Sequence, residues 1–487
     1  MKPTFPIALA LLSALPLAGA GLETGAHADV VLDWNQLLSE VLSVETTYDN
    51  PGYASRSTAM MNLAIYDGIA AAEGTSTSTT FYDYGSDFTG TTSTAAAEVA
   101  ARQAAYTVLS SLYGSQQSTL DAFYNTSLEG PSASTADLDA GVALGTQIGH
   151  AIVARRAQDG WDNVVDYTYQ AAGTVGAFQA DPLNPDVPAW GVAWGQVDTF
   201  ALSSPESYVP AAPPEVTSAE YAASYNEVAA LGGVDSTART ADQTEAGVFW
   251  AYDSGQGTPL VLFNDVLRTI AVQEGNTTAE NAALFAHASV AMADAAIVAW
   301  DTKFDLEFWR PGTAIVDADL DGNTYTQGVS DWVALGAPDG GGDEIGLTPQ
   351  FPTYISGHAT FGGALFGTLQ EFYGTDDIAF SLTSAELERL LDDPDLQGAY
   401  GLDLEDAERT FASLSEAMAE NGRSRVYLGI HFDFDDLIGQ EVGRDVAASI
   451  NGQLFVTHGV TIPEPASAAL ILTGFALVQR RRRRAGA

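Results

Sequence analysis

Apolar residues in the middle of the chain recur three and four positions apart, and alternation at every second position is scarce. This spacing predicts amphipathic helices, because 3.6 residues per turn bring such positions onto one face. The predicted helices cover residues 94–112, 137–156, 219–231, 278–300 and 405–418. The fourth also has a start signal, since Thr277 and Glu280 are spaced as a capping box.

The domain organisation follows from the segments between these helices. They are rich in Gly, Pro and Ser, but none is long or monotonous enough for a flexible linker between domains. No repeat of fixed period interrupts the pattern. We therefore predict one large all-α domain of helical-bundle type over residues 29–460, with two bundle-like halves.

Composition and charge narrow the function classes. With 487 residues, of which 46% are hydrophobic, the chain can bury a large core, which excludes intrinsic disorder as its main state. A formal net charge of −44 would repel the phosphates of nucleic acids and of anionic membranes. The absence of cysteine excludes disulfides, thiolate metal sites and cysteine nucleophiles.

The start of the chain predicts export. Lys2 precedes an apolar run over residues 5–17, and small-residue cleavage sites follow at positions 18–20 and 26–28. This is the layout of a secretory signal peptide. We expect residues 1–28 to be that signal peptide and the mature protein to be exported.

The end of the chain has its own pattern. Pro463-Glu464-Pro465 is followed by about 13 apolar residues and then by five arginines. The apolar stretch is shorter than the roughly 20 residues that a membrane-spanning helix needs, so it could be a truncated anchor. Residues 461–487 resemble the bacterial PEP C-terminal sorting signal. That resemblance implies removal by a membrane-bound exosortase, transient membrane contact, and a periplasmic, cell-surface or extracellular location in a Gram-negative-type bacterium.

Candidate chemistry begins with the cations. Lys303 is the only lysine after the signal peptide, and it lies seven residues before Arg310. Two helical turns separate these positions, so both side chains are expected on one face of a helix. Pro311 would then end that helix. Alternatively, both cations could be counterions of nearby carboxylates.

A second block is Ser356-Gly357-His358, which precedes a run of small residues. The pattern predicts a turn that leads into a helix. Because the first N–H groups of a helix are unpaired and lie at the positive end of its dipole, Ser356 and Gly357 could bind an oxyanion. Alternatively, the tripeptide could be a chance loop sequence.

The third block contains Arg425, Gly429, His431 and Asp435. A spacing of four on a helix lets Asp435 accept a hydrogen bond from one imidazole nitrogen of His431, which leaves the other nitrogen as a ligand or nucleophile. Arg425 would lie about 120° away on an unbroken helix. Gly429 must therefore break the helix if both side chains are to reach one ligand.

In this order, the three blocks resemble those of the vanadium-dependent haloperoxidases and the related type-2 phosphatidic acid phosphatases. The motif-bearing part covers about residues 240–452. One departure is Ile355, where the family usually has proline. The resemblance implies the cofactor vanadate, whose site phosphate can also occupy. It further implies that His431 is the axial vanadium ligand and His358 the acid–base group, and that the equatorial oxygens bind Lys303, Arg310, Ser356, Gly357 and Arg425.

The resemblance implies one of two enzymes. A haloperoxidase would oxidise halide with hydrogen peroxide to a hypohalous acid equivalent, and the long segment between His358 and Arg425 favours this activity. An exported acid phosphatase would form a phosphohistidine at His431. A non-catalytic surface or matrix protein is a third interpretation. Phe351, seven residues before His358, resembles the chloroperoxidase type, whereas bromoperoxidases tend to have histidine there.

We predict that exported protein lacks the segment after Pro465. About 13 apolar residues anchor a chain poorly, and the five arginines would hold the tail at the cytoplasmic face only until processing. The measurement is the intact mass of secreted material. A full-length C-terminus outside the cell would refute the sorting-signal interpretation.

Overall fold

A computed structural model describes residues 29–44, 50–73, 80–84, 93–127, 133–183, 185–252, 257–338, 346 and 348–457. The predicted signal peptide over residues 1–28 and the predicted sorting tail over residues 461–487 lie outside these ranges. The structure is 62% helical, which confirms the all-α prediction. The domain bounds at 29 and 460 stay predictions.

The described residues form fifteen α-helices and two short strands. In chain order these are α1 (Val30–Val44), α2 (Pro51–Glu73), α3 (Thr94–Leu112), α4 (Gln117–Ser127), α5 (Thr135–Arg156), α6 (Ala219–Leu231), α7 (Ala241–Phe249), α8 (Pro259–Glu274), α9 (Thr278–Leu306), α10 (Pro311–Val316), α11 (Gly357–Tyr373), β1 (Phe380–Thr383), α12 (Ala385–Asp392), α13 (Pro394–Ala399), β2 (Glu408–Phe411), α14 (Leu414–Tyr427) and α15 (Asp433–Thr457).

Helix α9 is the central element of the core. It packs against α2 on the side of the first bundle-like half, where α2 also contacts α3 and α5. On the other side it packs against α11 and α15, which with α14 make up the second half. Among the described helices, α9 is the one long and apolar enough to cross a membrane, but its apolar window is completely buried inside the fold.

The segments in which apolar residues recur most regularly form the predicted helices. Helices α3 and α6 have the predicted bounds, and the predicted capping box opens α9: Thr277 Oγ1 accepts from the Glu280 N–H at 3.3 Å, and the Glu280 carboxylate accepts from the Thr277 N–H at 2.8 Å. Each exchange satisfies an N–H group that a helix start leaves unpaired.

The predicted helix over residues 405–418 is wrong. Residues Glu408–Phe411 are strand β2, which pairs antiparallel with β1, and α14 begins only at Leu414. The physical reason is tertiary: Phe411 lies opposite Phe380, with ring centroids 5.2 Å apart, and also packs on Trp250. Ser413 then accepts a hydrogen bond from the Glu416 N–H and so caps the new helix.

Helices α11 and α15 approach each other closely through glycine. A Cβ atom on Gly363 would overlap the Gln440 carbonyl, and one on Gly443 would overlap the Thr360 carbonyl. Only residues without a side chain permit this backbone contact. It holds the N-terminus of α11 against the N-terminus of α15, where the candidate site lies.

Candidate active site

The predicted site residues come from five places in the fold and converge in its interior. Lys303 lies in the last turn of α9, Arg310 immediately before α10, and Arg425 in the last turn of α14. These three side chains are buried, with 0%, 3% and 0% of their surface exposed. Residues 356–358 lie at the start of α11, and His431 lies two residues before α15.

Lys303 and Arg310 do not share a helical face, so that expectation was wrong. Helix α9 ends at Leu306 because Glu307 takes a left-handed backbone conformation, with φ of 44°. The Glu307 N–H still donates to the Lys303 carbonyl at 2.8 Å, and the chain then turns away. Arg310 consequently occupies the N-cap position of the short helix α10.

The two cations instead meet at the loop before α11. Lys303 Nζ donates to the carbonyls of Pro352 and Thr353 at 2.8 and 2.9 Å, and Arg310 Nε donates to the Phe351 carbonyl at 2.8 Å. Within the described part of the chain, Lys303 forms no ion pair, which contradicts the counterion interpretation for this residue. Burial, and then the charge of Arg310, holds the pKa of Lys303 well below its usual value.

The start of α11 is as the sequence predicts. Ser356 is the N-cap, since its side chain accepts from the Ala359 N–H at 3.3 Å. A hydroxyl group can accept and donate at once, so Ser356 can cap the helix and also donate to an oxyanion. Gly357 is the first helical residue, and a Cβ there would lie 3.1 Å from the Trp300 ring. Ile355 is buried and follows a cis peptide bond.

His431 is oriented by Asp435. Gly429, with φ of 76°, lies between the end of α14 and His431, so the helix does break between Arg425 and His431. His431 itself precedes α15 and does not lie on it, but its Nδ1 still lies 3.0 Å from Asp435 Oδ2. Its Nε2 lies 3.1 Å from Arg310 Nη1. A proton on Nδ1 would leave the Nε2 lone pair facing the cations.

Thr353 also belongs to this cluster, and it is not among the residues predicted from the sequence. Its hydroxyl donates to Asp435 Oδ2 at 2.5 Å and lies 3.1 Å from His431 Nδ1. The only signal in the sequence is a polar residue among the apolar neighbours of residues 351–355. That signal is weak, because its partners lie 78 and 82 residues away.

His358 lies beside Arg425. Its Nε2 is 3.0 Å from the carbonyl oxygens of both Trp250 and Ala251 and 2.9 Å from Arg425 Nη1. Burial, and then the charge of Arg425, holds the pKa of His358 well below its ordinary value. The imidazole is therefore neutral near pH 7 and can act as a base.

Phe351 packs against the cations. Its ring centroid lies 5.1 Å from Lys303 Nζ and 4.9 Å from Arg310 Cζ, which are cation–π distances. The ring also contacts Trp300, at 5.0 Å between centroids. The side chain is half-buried. Through these contacts, Phe351 can influence the two cations directly.

The summed electrostatics favour an anion. The charges of Arg310, Lys303 and Arg425 add to burial in lowering the pKa of His431. Burial raises the pKa of Asp435 to about 6. Three cations and one carboxylate of raised pKa therefore surround His431, close to the N-terminus of α11. This donor set, with a fully buried lysine that donates to two carbonyls, fits a tetrahedral oxyanion such as vanadate or phosphate.

Comparison with known proteins agrees with this geometry. Residues 283–455 match the VCPO second helical-bundle domain. The matched region contains every candidate site residue from Lys303 to Asp435.

The relatives of this chain include a curated enzyme. Vanadium chloroperoxidase of Curvularia inaequalis is 32% identical over 328 residues, which cover 58% of this chain and 53% of that protein. The chain therefore spans about half the length of this relative.

Solved structures share the fold. A bacterial vanadium-dependent iodoperoxidase is 24% identical with a TM-score of 0.63, and the match covers 88% of this chain and 95% of that one. A holo-type bacterial vanadium-dependent chloroperoxidase is 14% identical with a TM-score of 0.62, and the match covers 90% and 100%. At these identities, the likeness shows the fold alone.

Substitution of His431 and substitution of His358 should have different effects on vanadate binding and on turnover. His431→Ala should weaken vanadate binding at least about 100-fold, because loss of a mere supporting group already costs 10–100-fold. His358→Ala should keep vanadate affinity within about tenfold but lower turnover by about 100-fold or more, as expected for a lost acid–base group. Isothermal titration calorimetry and steady-state assays measure the two quantities.

The matched control is His150→Ala, an exposed histidine in α5 that should change neither quantity. Equal loss of vanadate binding in the His431 and His358 variants would contradict this division of roles.

Proposed function

We propose that the protein is a vanadate-dependent haloperoxidase, which oxidises halide with hydrogen peroxide to a hypohalous acid equivalent. The observation that carries the proposal is the orientation of His431, whose Nδ1 contacts Asp435 while its Nε2 faces the buried cations. That arrangement suits an imidazole ligand to an oxyanion's central atom. The 32% identity to a vanadium chloroperoxidase supports the same activity.

Each residue of the candidate site would bind a particular part of vanadate. His431 Nε2 would ligate vanadium, and the oxygens would take hydrogen bonds from Lys303, Arg310 and Arg425. The Ser356 hydroxyl and the Gly357 N–H would bind the oxygens from the start of α11. Bound vanadate would supply a Lewis acid that activates peroxide without a change of its own oxidation state.

Two residues of the site would act on hydrogen peroxide: His358 would accept a proton, and Lys303 would polarise an oxygen atom. The neutral His358 can accept the proton that hydrogen peroxide loses on binding, because its pKa is held low by burial and by Arg425. Lys303, fixed by two carbonyl bonds, can direct its third N–H toward a peroxide oxygen and draw charge from it. Attack by halide on that oxygen would break the O–O bond, and with one proton taken up the products would be hypohalous acid and water.

The phosphatase alternative uses the same geometry. His431 Nε2 could attack phosphorus, and Asp435 would hold the imidazole in the required orientation. The similarity to haloperoxidases makes it the second candidate. A non-catalytic surface protein would bind the anion without turnover.

The deciding experiment uses full-length protein stripped with a chelator. Peroxide-dependent bromination of a dye should appear only after vanadate is added, and His431→Ala should lose it. Hydrolysis of a phosphate ester that vanadate inhibits would instead establish the phosphatase. Anion binding without either reaction would leave the non-catalytic interpretation.

We also propose that the protein works after export. The signal-like residues 1–28 and the sorting-like residues 461–487 support this location. The strongly acidic composition suits a protein that must stay soluble outside the cell.

Phe351 should set the halide range. We expect measurable chloride oxidation at acidic pH beside the easier bromide oxidation, and a roughly tenfold lower chloride-to-bromide ratio in Phe351→His, equal to about 1.4 kcal/mol. An imidazole could accept hydrogen bonds from Lys303 or Arg310, which the phenyl ring only faces, and would compete with the bound oxygens for these donors.

Phe351→Leu is the control, since leucine is apolar and cannot accept a hydrogen bond. It should keep the ratio closer to the wild-type value than Phe351→His does. A vanadate-loaded wild type that oxidises bromide but never chloride would show that Phe351 does not confer chloride oxidation.

A further inference from the structure

We propose that Thr353 is a positioning residue that holds the ligating imidazole of His431 and the ammonium group of Lys303 in one fixed geometry. The proposal rests on the proposed vanadate site, and it adds a residue that acts through Lys303, His431 and Asp435. Its basis is the set of contacts that Thr353 makes with both of its polar groups.

The backbone and side chain of Thr353 face different partners. Its carbonyl accepts from Lys303 Nζ at 2.9 Å, while its hydroxyl donates to Asp435 Oδ2 at 2.5 Å. Its own N–H donates to the Phe308 carbonyl at 3.1 Å, which fixes the backbone. The residue is completely buried, and a β-branched side chain has few rotamers, so neither polar group can move independently.

The hydrogen atoms of this cluster can be assigned. A threonine hydroxyl has one hydrogen, and the 2.5 Å contact places it on the line to Asp435 Oδ2. The remaining lone pairs of Thr353 Oγ1 then face His431 Nδ1, 3.1 Å away. Asp435 Oδ2 also faces this nitrogen at 3.0 Å. With two acceptors beside it, Nδ1 carries the hydrogen, and Nε2 keeps the lone pair that a metal needs.

Without the Thr353 hydroxyl, the hydrogen of His431 should no longer be fixed on Nδ1. Asp435 Oδ2 would keep only the Phe432 N–H, at 2.9 Å, and His431 as donors, so the carboxylate could rotate. Nδ1 would lose one of its two acceptors. The imidazole would then sample the other tautomer, in which Nε2 carries the hydrogen and cannot bind a metal. Lys303 would keep its carbonyl partner in any substitution that preserves the backbone.

Three variants test the role of the hydroxyl. Thr353→Val has nearly the same shape without the hydroxyl and should bind vanadate about 10–100-fold more weakly, whereas Thr353→Ser should stay within about threefold of the wild type. The matched control is Thr368→Val in α11, a buried threonine whose hydroxyl has no hydrogen-bond partner among the described residues. It should bind vanadate as the wild type does. If Thr353→Val does not fold, Thr353→Ala provides the same comparison.

An independent measurement uses protein without vanadate. The chain has six histidines, so ¹⁵N-histidine labelling gives a spectrum simple enough to assign His431 by its loss in His431→Gln. Near pH 8, where a free imidazole is neutral, the wild type and Thr353→Ser should show Nδ1 protonated. Thr353→Val should show averaged shifts of the two nitrogens.

The outcomes separate the two proposals. An unchanged His431 tautomer together with unchanged vanadate affinity in Thr353→Val would overturn the positioning role. Equal weakening in Thr353→Ser and Thr353→Val would also overturn it, because the hydroxyl would then be irrelevant. A wild type that binds no vanadate would refute the proposed function, while the expected tautomer change would still support the role of Thr353.

Discussion

Lys303, Arg310 and Arg425 place three positive charges in the interior, where lost hydration and mutual repulsion both oppose folding. The fold offsets part of this cost with backbone carbonyls. Lys303 bonds to two of them, and Arg310 Nη1 donates to the Ile430 carbonyl at 2.8 Å. Carbonyl dipoles solvate a cation without neutralising it. The cluster therefore remains positive, and a bound oxyanion would supply the missing charge.

This requirement explains why a loop rather than a helix supplies the carbonyls that bind Lys303 and Arg310. A helix uses its own carbonyls for its internal hydrogen bonds, so it has few to offer a buried cation. The loop over residues 351–353 offers three carbonyls in succession to Lys303 and Arg310. Left-handed residues make the necessary turns, Glu307 after α9 and Gly429 after α14. The close packing of α11 against α15 fixes the position of the site residues at the start of both helices.

The sequence predicts the parts of this arrangement that leave a local pattern. Helices such as α3 and α6 follow from apolar periodicity, and the start of α11 follows from a polar residue before small ones. The failures involve distant partners. Residues 405–418 read as helix because the pairing of Phe411 with Phe380 has no local trace, and tertiary packing overrides propensity there. The role of Thr353 leaves no local pattern either, because its partners come from α9 and from the start of α15.

The protein as a whole is negatively charged, whereas the site is positively charged, and this difference affects how anions reach the site. A net charge of −44 repels vanadate and halide at long range, so the protein as a whole does not steer them inward. Salt removes most of that repulsion, since the Debye length is about 8 Å at physiological ionic strength. The buried cations are screened far less than the surface carboxylates. Salt therefore weakens the barrier to entry more than it weakens the attraction inside, so such a site captures anions better in a salty medium than in a dilute one.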